Sequence, residues 1–381
     1  MKRKLALLIL VIIAVSVALV ACNQPDATTA DVRWNEEKHV FTINKADFLQ
    51  SSGDYRKDAA MTAEVLQSKD EIIPEDVCGS YVLTITPTAG MTASCVVTTE
   101  QVIYALYYKS DVNSPKLSEE DFNTLVSKVS QEEIAQTGFD VKENQVVFKS
   151  VTKSEVMFET PSQRPTSSMT KVDGFYAGKK HCNVTNYEVS TVYDYSNEKK
   201  PTATVTIDSQ EETYNLPAKT STVDVIDSNQ LLVYLRSLAK TKTSLQDSKS
   251  ARVFNAYTGE IHTASFAFLK YEDKVILTDY NAEGETPKTL NVTLSSVAVT
   301  VDGIAYMLQD NLPSLENLDY YVGAFGNVPK YTTVRFRVGY LSYEIDYSNE
   351  ANTTNWEEIW EALTPATKPE EGEEEQTPEE E

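Results

Sequence analysis

The side chains that could carry catalytic or metal chemistry are few and widely spaced. The three histidines, His39, His181 and His262, lie far apart in the sequence. The glycine–serine elbow of hydrolases, the paired-histidine helix of metalloproteases and the glycine-rich loops of nucleotide-binding proteins are absent from the sequence. His181 precedes Cys182, but neighbouring residues of a strand point to opposite faces, so their adjacency is poor evidence for a catalytic pair. The sequence predicts no catalytic residue, no cofactor and no metal site, and it favours a role other than catalysis.

The N-terminal segment has the layout of a secretory signal. A cationic start at residues 2–4 precedes an apolar run from Leu5 to Ala21 that only Ser16 interrupts. The run is slightly short for a membrane-spanning helix, which needs about 20 residues. Its length therefore leaves open both a cleaved signal and a retained helix.

The residues that end this run favour one of these alternatives. Leu19-Val20-Ala21-Cys22 resembles the lipobox of bacterial lipoproteins, in which small or aliphatic residues precede a cysteine. The resemblance implies transfer of a diacylglyceryl group to the Cys22 thiol and cleavage before Cys22. We therefore predict a signal peptide at 1–21 and a polar tether at 22–31. An uncleaved helix anchor and ordinary secretion are the alternatives.

Three further cysteines follow Cys22, namely Cys78, Cys95 and Cys182. Exported proteins lie where disulfides can form. Cys78 and Cys95 border two short strand-like stretches, so a hairpin could bring them together in a disulfide worth about 3 kcal/mol. The alternative is two reduced thiols. Cys182 is predicted to be structural.

The charge of the chain excludes several partners. The net charge is −23, and it becomes −26 without residues 1–21, which carry three cationic side chains. A chain this acidic repels phosphate backbones, so we expect no nucleic-acid partner. The segment from Ala366 to Glu381 holds eight Glu and one Lys. Because it has almost no apolar surface to bury, we predict a disordered acidic tail at 365–381.

Two other groups of side chains could bind ligands. Asp-Tyr-Ser-Asn-Glu occurs at 194–198 and again at 346–350, and its oxygens could ligate Ca²⁺, although a turn after a strand explains the same residues. The abundant tyrosines could line a glycan or peptide groove, or they could be ordinary strand residues.

The pattern of apolar residues predicts a strand-rich α+β fold with antiparallel sheets and few helices. Helices are expected at Ser118–Ala135, Ser228–Lys240, Asn355–Leu363 and, more weakly, Asp58–Ser68. Alternation over Thr332–Tyr347 slips near Gly339–Leu341, which predicts a strand with a β-bulge or a bend there. A similar slip occurs at Ser295-Ser296.

Matching motifs recur in the same order in the two halves of the body. We therefore predict two similar α+β modules, at 32–200 and 201–364, although the unequal spacing of the motifs also allows a chance match.

Together these features predict an extracytoplasmic lipoprotein on the cell membrane, with a binding or envelope-structural role and an unknown protein, peptide or glycan ligand. A solute-binding lipoprotein of a transporter and a glycan-active or wall-active hydrolase are the rival functions. The first requires more helix, and the second requires two carboxylates facing each other across a cleft.

Overall fold

The computed structural model describes residues 34–45, 72–88, 94–113, 117–160, 162–178, 181–218, 225–234, 248–279, 288–301, 315–321, 332–338, 340–346 and 348–353. These residues form a single sheet of fifteen strands. In the first half of the chain the strands are β1 Glu37–Lys45, β2 Asp76–Thr88, β3 Ser94–Tyr108, β4 Gln145–Glu159, β5 Pro165–Gly178, β6 His181–Asp194, β7 Thr202–Ile207 and β8 Gln210–Asn215. In the second half they are β9 Val225–Asp227, β10 Ser248–Asn255, β11 Glu260–Asp279, β12 Lys288–Val301, β13 Leu315–Tyr321, β14 Thr332–Val338 and β15 Leu341–Ile345.

Most strands pair antiparallel with the next strand in sequence, and β8 and β9 form the two ends of the sheet. The short β9 instead runs parallel to β10. The first and last strands join the two halves, because β1 pairs with both β2 and β15. The predicted strand-rich α+β class, with antiparallel strands and few helices, is confirmed.

Aromatic rings fill the junction of the two halves. Phe41 of β1 lies 5.8 Å from Tyr81 of β2 and 5.4 Å from Phe336 of β14, measured between ring centroids. Tyr343 of β15 stacks on Phe336 at 4.3 Å, and its hydroxyl donates a 2.8 Å hydrogen bond to Oε1 of Gln101 in β3. Large rings buried on one face of adjacent strands hold those strands in register.

A second aromatic cluster brings together the two ends of the sheet. Phe254 of β10 is fully buried, 6.0 Å from the Tyr193 ring in β6 and 5.9 Å from the Tyr214 ring in β8. Val205 of β7 and Val225 of β9 belong to the same cluster. The sheet therefore curls until strands from opposite ends pack against each other.

Three short helices connect β3 to β4: α1 Lys109–Asn113, α2 Glu119–Ser127 and α3 Gln131–Thr137. The prediction of one helix over Ser118–Ala135 was correct at its start, where the Ser118 side chain accepts from the backbone N–H of Asp121. It was wrong at its middle, because Ser130 begins a second helix with its own capping box.

The helices cover one end of the sheet. Leu125 of α2 is fully buried in the main core, and Phe122 lies 5.9 Å from the ring of Phe148 in β4. Val129 and Ile134 pack instead on the outer face of β3 and β4, where they cover Val147. The connection between β3 and β4 thus closes the interior and also shields part of the outer surface.

The antiparallel register defines two poles of the sheet. We call the end at which β1 begins and β2, β4 and β6 finish the proximal pole, and the end covered by α1–α3 the distal pole. The last described residues return to the proximal pole, because Thr353 donates its N–H to the Lys38 carbonyl at 2.9 Å and accepts the Lys38 N–H at 2.7 Å. Both ends of the folded body therefore lie together.

Two expectations about strand breaks need correction. The Thr332–Tyr347 segment is not one bulged strand. It forms the hairpin β14–β15, in which Val338 pairs with Leu341. A hairpin turn changes which alternate positions are apolar, and a β-bulge produces the same change in the sequence pattern. At Ser295-Ser296, β12 is continuous, and the irregularity lies in its partner β11 between Lys270 and Lys274.

The other sequence expectations are met in part. The helix expected from Ser228 starts as a 3₁₀ turn at Ser228–Gln230 and continues as helix at 231–234. The proposed boundary between residues 200 and 201 falls in the turn between β6 and β7, which are hydrogen-bonded neighbours. One sheet therefore runs through both predicted modules, and their similarity stays a prediction. The helices predicted at Asn355–Leu363 and Asp58–Ser68 lie outside the described residues, as do 1–31 and 365–381.

Candidate functional site

The predicted disulfide is absent from the structure. Cys78, Cys95 and Cys182 are free thiols. β2 and β3 do form a hairpin, but Cys78 faces Tyr104 and Cys95 faces Pro87, nine residues further along β2. At about 3.3 Å per residue the two cysteines are therefore roughly 30 Å apart along the strands. Burial raises the pKa of Cys78 to about 11 and that of Cys182 to about 12, so neither thiol has the character of a nucleophile.

The histidines are separate from one another in the fold. His39 is buried and lies 3.0 Å from the Glu37 carboxylate, measured from Nε2 to Oε2, on the same face of β1. Nε2 of His262 lies 3.6 Å from Oε2 of Glu260 on β11. His181 begins β6, and the Cys182 side chain beside it is buried in the main core. Each of the two Glu–His pairs is made within one strand.

The most polar part of the interior is centred on Asp227, which is fully buried. Its carboxylate accepts hydrogen bonds from the Tyr193 hydroxyl and, at 2.8 Å, from the Asn229 N–H. Burial raises its pKa, and hydrogen bonds from Ser168, Tyr193 and Asn229 partly offset that effect. Asn229 also donates to the Thr170 hydroxyl at 2.9 Å. These bonds hold the start of the second half of the chain against β5 and β6.

The network continues at the turn between β4 and β5. Gln163 is fully buried with φ of 57°, a left-handed conformation that costs free energy in a residue other than glycine. The backbone carbonyl of Gln163 accepts a 2.9 Å hydrogen bond from the side-chain amide of Gln230. The Arg164 guanidinium lies 5.2 Å from the Tyr195 ring centroid and 3.7 Å from Oε1 of Glu198. Sequence patterns could not reveal this network, because its members are spread over four segments.

The chemistry open to this network is limited by its burial. Asp227, Glu37 and Glu344 are buried carboxylates, and each is at most 6% exposed. A glycosidase pair must meet water and substrate. The buried carboxylates therefore fit a role in holding strands together better than a role in hydrolysis. Tyr193 and Tyr343, two of the tyrosines that could have lined a groove, are likewise in the core.

The two Asp-Tyr-Ser-Asn-Glu segments are both turns at the proximal pole. Asp194 accepts the Ser196 N–H at 2.8 Å, and this bond lowers the Asp194 pKa. In the second copy Asp346 accepts from the Ser348 hydroxyl at 3.0 Å and from the Asn349 amide at 3.2 Å. The Asp oxygens are therefore engaged in turn hydrogen bonds. Within the described ranges no three His, Cys, Asp or Glu side chains converge as metal ligands.

The outer face of β2–β8 presents an uncharged row of side chains, which we call the outer stripe. Cross-strand pairing aligns one residue from each of these seven strands. Its members are Thr86, Val96, Met157, Ser167, Val192, Thr204 and Thr213. All seven are partly or fully exposed, whereas their neighbours in sequence include the buried Ile85, Val97, Val156 and Ala203. The alternation shows that the stripe belongs to the solvent face.

The stripe is regular and lies close to the proximal pole. The Thr204 and Thr213 hydroxyls are 3.3 Å apart, within hydrogen-bonding distance across adjacent strands. Val192 is 62% exposed, and Met169, in the next row, is 41% exposed. That next row also contains Thr84, Thr98, Glu155, Ser190, Thr206 and Glu211. The stripe became visible only once the register of seven strands was known.

Comparisons with known proteins do not define a family for this chain. The sequence matches no family model, and it matches no curated protein. Among solved structures, it is similar to the crystal structure of a β-barrel-like protein of a domain of unknown function, DUF1849, from Brucella abortus. The likeness covers 82% of this chain and 97% of the other, with 9% identity and a TM-score of 0.43. A likeness at this level says nothing about function.

Cys22, the predicted lipidation site, lies outside the described residues. Among the residues that the structure does describe, no helix has the length and apolarity needed to cross a membrane.

Proposed function

We propose that this chain is an extracytoplasmic lipoprotein, anchored at the outer face of the cell membrane through Cys22, and that its folded body binds a partner in the envelope. The outer stripe carries the binding part of this proposal. In a chain of net charge −23, seven adjacent strands present a continuous row without a charge, and one of its members, Val192, is 62% exposed. An uncharged surface that includes exposed apolar side chains and has a charged rim is typical of interaction sites.

The fold supports an anchor at the proximal pole. The twelve residues from Cys22 to Trp34 can extend over at most about 40 Å. Trp34 packs on Phe158 near the end of β4, with ring centroids 5.3 Å apart, so the body begins at this pole. A lipid on Cys22 would therefore keep the proximal pole within that distance of the membrane and leave the distal helices facing outward.

The anchor is tested by expressing the full chain and a Cys22→Ser variant in a bacterium supplied with labelled fatty acid. We expect the full chain to incorporate the label and to partition into detergent, and the variant to do neither. Mass spectrometry of the mature N-terminus should show a lipidated residue 22. An unmodified Cys22 on a chain that still carries residues 1–21 would contradict the proposal.

The binding role is tested by placing a photo-crosslinking residue at position 192 in cells. The matched control is position 141, because Val141 is also apolar and 36% exposed but lies in the connection between α3 and β4, at the distal pole. We expect crosslinks to an envelope component from position 192 and not from position 141. Equal crosslinking from both positions, or none from either, would contradict a binding surface at the stripe.

The rival functions receive less support. The solute-binding rival requires many helices, whereas the helices α1–α3 have five, nine and seven residues. The hydrolase rival requires two carboxylates that face each other across a cleft, and the buried Asp227, Glu37 and Glu344 cannot supply them because the fold encloses them.

A further inference from the structure

We propose that the outer stripe binds an uncharged polysaccharide strand lying across β2–β8. This inference rests on the binding role proposed above and names the class of ligand. Three properties of the stripe carry it: its charge pattern, its dimensions and its chemical composition.

The charge pattern argues against anionic ligands. The stripe itself has no charged side chain, whereas carboxylates lie in the rows on either side, with Glu155 and Glu211 on one side and Glu159 and Asp194 on the other. These carboxylates repel anionic polymers and anionic lipid surfaces. They also accept hydrogen bonds readily from hydroxyl groups. The surroundings therefore favour a neutral ligand that is rich in hydroxyl groups.

The dimensions argue against a second folded protein. Six inter-strand spacings of about 4.8 Å make the stripe about 29 Å long, and residues on one face of a strand repeat every 7 Å or so. Even with the whole adjoining row, which includes Glu155 and Glu211, the surface is at most about 400 Å². A standard protein interface buries about 800 Å² on each partner. A long and narrow surface suits one extended polymer chain better than a protein face.

The composition suits sugars. Hydroxyl groups of Thr86, Ser167, Thr204 and Thr213 can both donate and accept hydrogen bonds with sugar hydroxyls. Between them, Val96, Met157 and Val192 present methyl groups on which the apolar faces of sugar rings can pack. Polar and apolar groups are interspersed along the row, so one sugar chain can meet both kinds of contact along its length.

The position of the stripe makes such a ligand accessible to an anchored protein. Val192 lies two residues before the end of β6, and Thr204 lies two residues after the start of β7, both at the proximal pole. A polymer bound there would lie near the membrane end of the body, within about 50 Å of the lipid, given the tether and about 3.3 Å per strand residue.

The test uses residues 22–381 with Cys22→Ser, so that binding does not depend on lipidation. The protein is mixed with insoluble chitin, cellulose, β-glucan and mannan, and the bound fraction is measured after sedimentation. We expect binding to at least one of these neutral polymers, unchanged between 0.05 and 0.5 M salt, and no binding to dextran sulfate immobilised on sedimentable beads. Failure on all four neutral polymers, or stronger binding to dextran sulfate, overturns the proposal.

Variants locate the binding to the stripe. Val192→Glu and Thr204→Glu each place a charge in the row, and we expect at least a tenfold loss of bound protein. Val141→Glu adds the same charge at the distal pole, outside the stripe, and should bind like the parent chain. Circular dichroism must show that all variants are folded, and equal binding by the folded Glu variants and the parent overturns the proposal.

The outcomes separate this inference from the proposed function. Crosslinking of position 192 to an envelope protein, without binding to any polysaccharide, would retain a binding role and reject the glycan. Polysaccharide binding by a chain that is never lipidated in cells would retain the glycan and reject the anchor.

Discussion

The contact of Glu133 with the sheet offers a direct test of how α3 is held. The Glu133 carboxylate accepts from the Ser130 N–H at 2.9 Å, from the Tyr104 hydroxyl at 3.0 Å and from the Lys149 ammonium. Tyr104 and Lys149 face each other across β3 and β4. We therefore choose Glu133→Gln, because glutamine also completes a capping box but has no charge for Lys149. The variant therefore removes the charge of residue 133 and keeps the helix cap.

The magnitude follows from the pKa of Glu133, which hydrogen bonds from Lys149 and the Ser130 N–H lower from 4.5 to about 2. That difference sets an upper limit of about 3.4 kcal/mol on the stabilisation by the ionised group. The side chain is 26% exposed, so solvent screening reduces the expected value to about 1–1.5 kcal/mol. Because the folded pKa lies below the unfolded pKa, the stabilisation is present above pH 5 or so and is lost as the pH falls towards 2.

The assay is urea unfolding followed by circular dichroism at pH 7, 5 and 3.5. We expect Glu133→Gln to be less stable than the parent by about 1–1.5 kcal/mol at pH 7, with the difference shrinking at pH 3.5. Glu132→Gln is the matched control, because Glu132 is an exposed neighbour on the same helix turn. A Glu133→Gln variant as stable as the parent at pH 7, or a difference that grows in acid, would refute the reasoning.

Three further predictions test other parts of the fold. A Cβ at Gly174 would lie 2.4 Å from the Ser150 Cα, so Gly174→Ala should cost about 1–3 kcal/mol in urea unfolding. A Gly174→Ala variant as stable as the parent would mean that β4 and β5 are not so close. Leu125 is fully buried, so Leu125→Ala should cost about 2–5 kcal/mol, and an unchanged midpoint would show that α2 does not enter the core. In the Cys22→Ser chain, three thiols should react with a disulfide reagent in denaturant without prior reduction. At pH 8, Cys78 should react roughly 200-fold more slowly in the folded chain, because its pKa of about 11 leaves little thiolate. If only one thiol reacted in denaturant, the result would instead support a disulfide between two of the three cysteines.

The local structure was largely predictable because the period-two alternation is strong. The two strand-like stretches bordered by Cys78 and Cys95 are parts of the longer strands β2 and β3, which form the expected hairpin. The cap at Ser118 was also correctly predicted, because a capping side chain acts within one helical turn. The break after Ser127 was missed, because apolar residues at helical spacing, such as Leu125 and Val129, continue across it. The Ser130 cap then starts a new helix.

The long-range arrangement could not be predicted, because it depends on register between distant segments. The expected bond between Cys78 and Cys95 failed for this reason: the hairpin was foreseen, but its register determines which residues face each other. The Asp227 network likewise joins residues 34 positions apart and more, with no local pattern that marks them. The outer stripe depends on six successive registers and is invisible in the linear sequence.

The pairing of β1 with β15 also limits how the predicted duplication can be interpreted. By sequence β1 belongs to the first module, but it pairs with β15 of the second along five residues, and Asn352 caps its Val40 N–H at 2.7 Å. The Asp227 segment binds back to β5 and β6 of the first module in turn. Each half therefore supplies backbone or buried polar partners that the other requires, and unpaired buried groups are costly. If two similar units gave rise to this chain, their strands now form one continuous sheet, and the exposed row on β2–β8 lies within it.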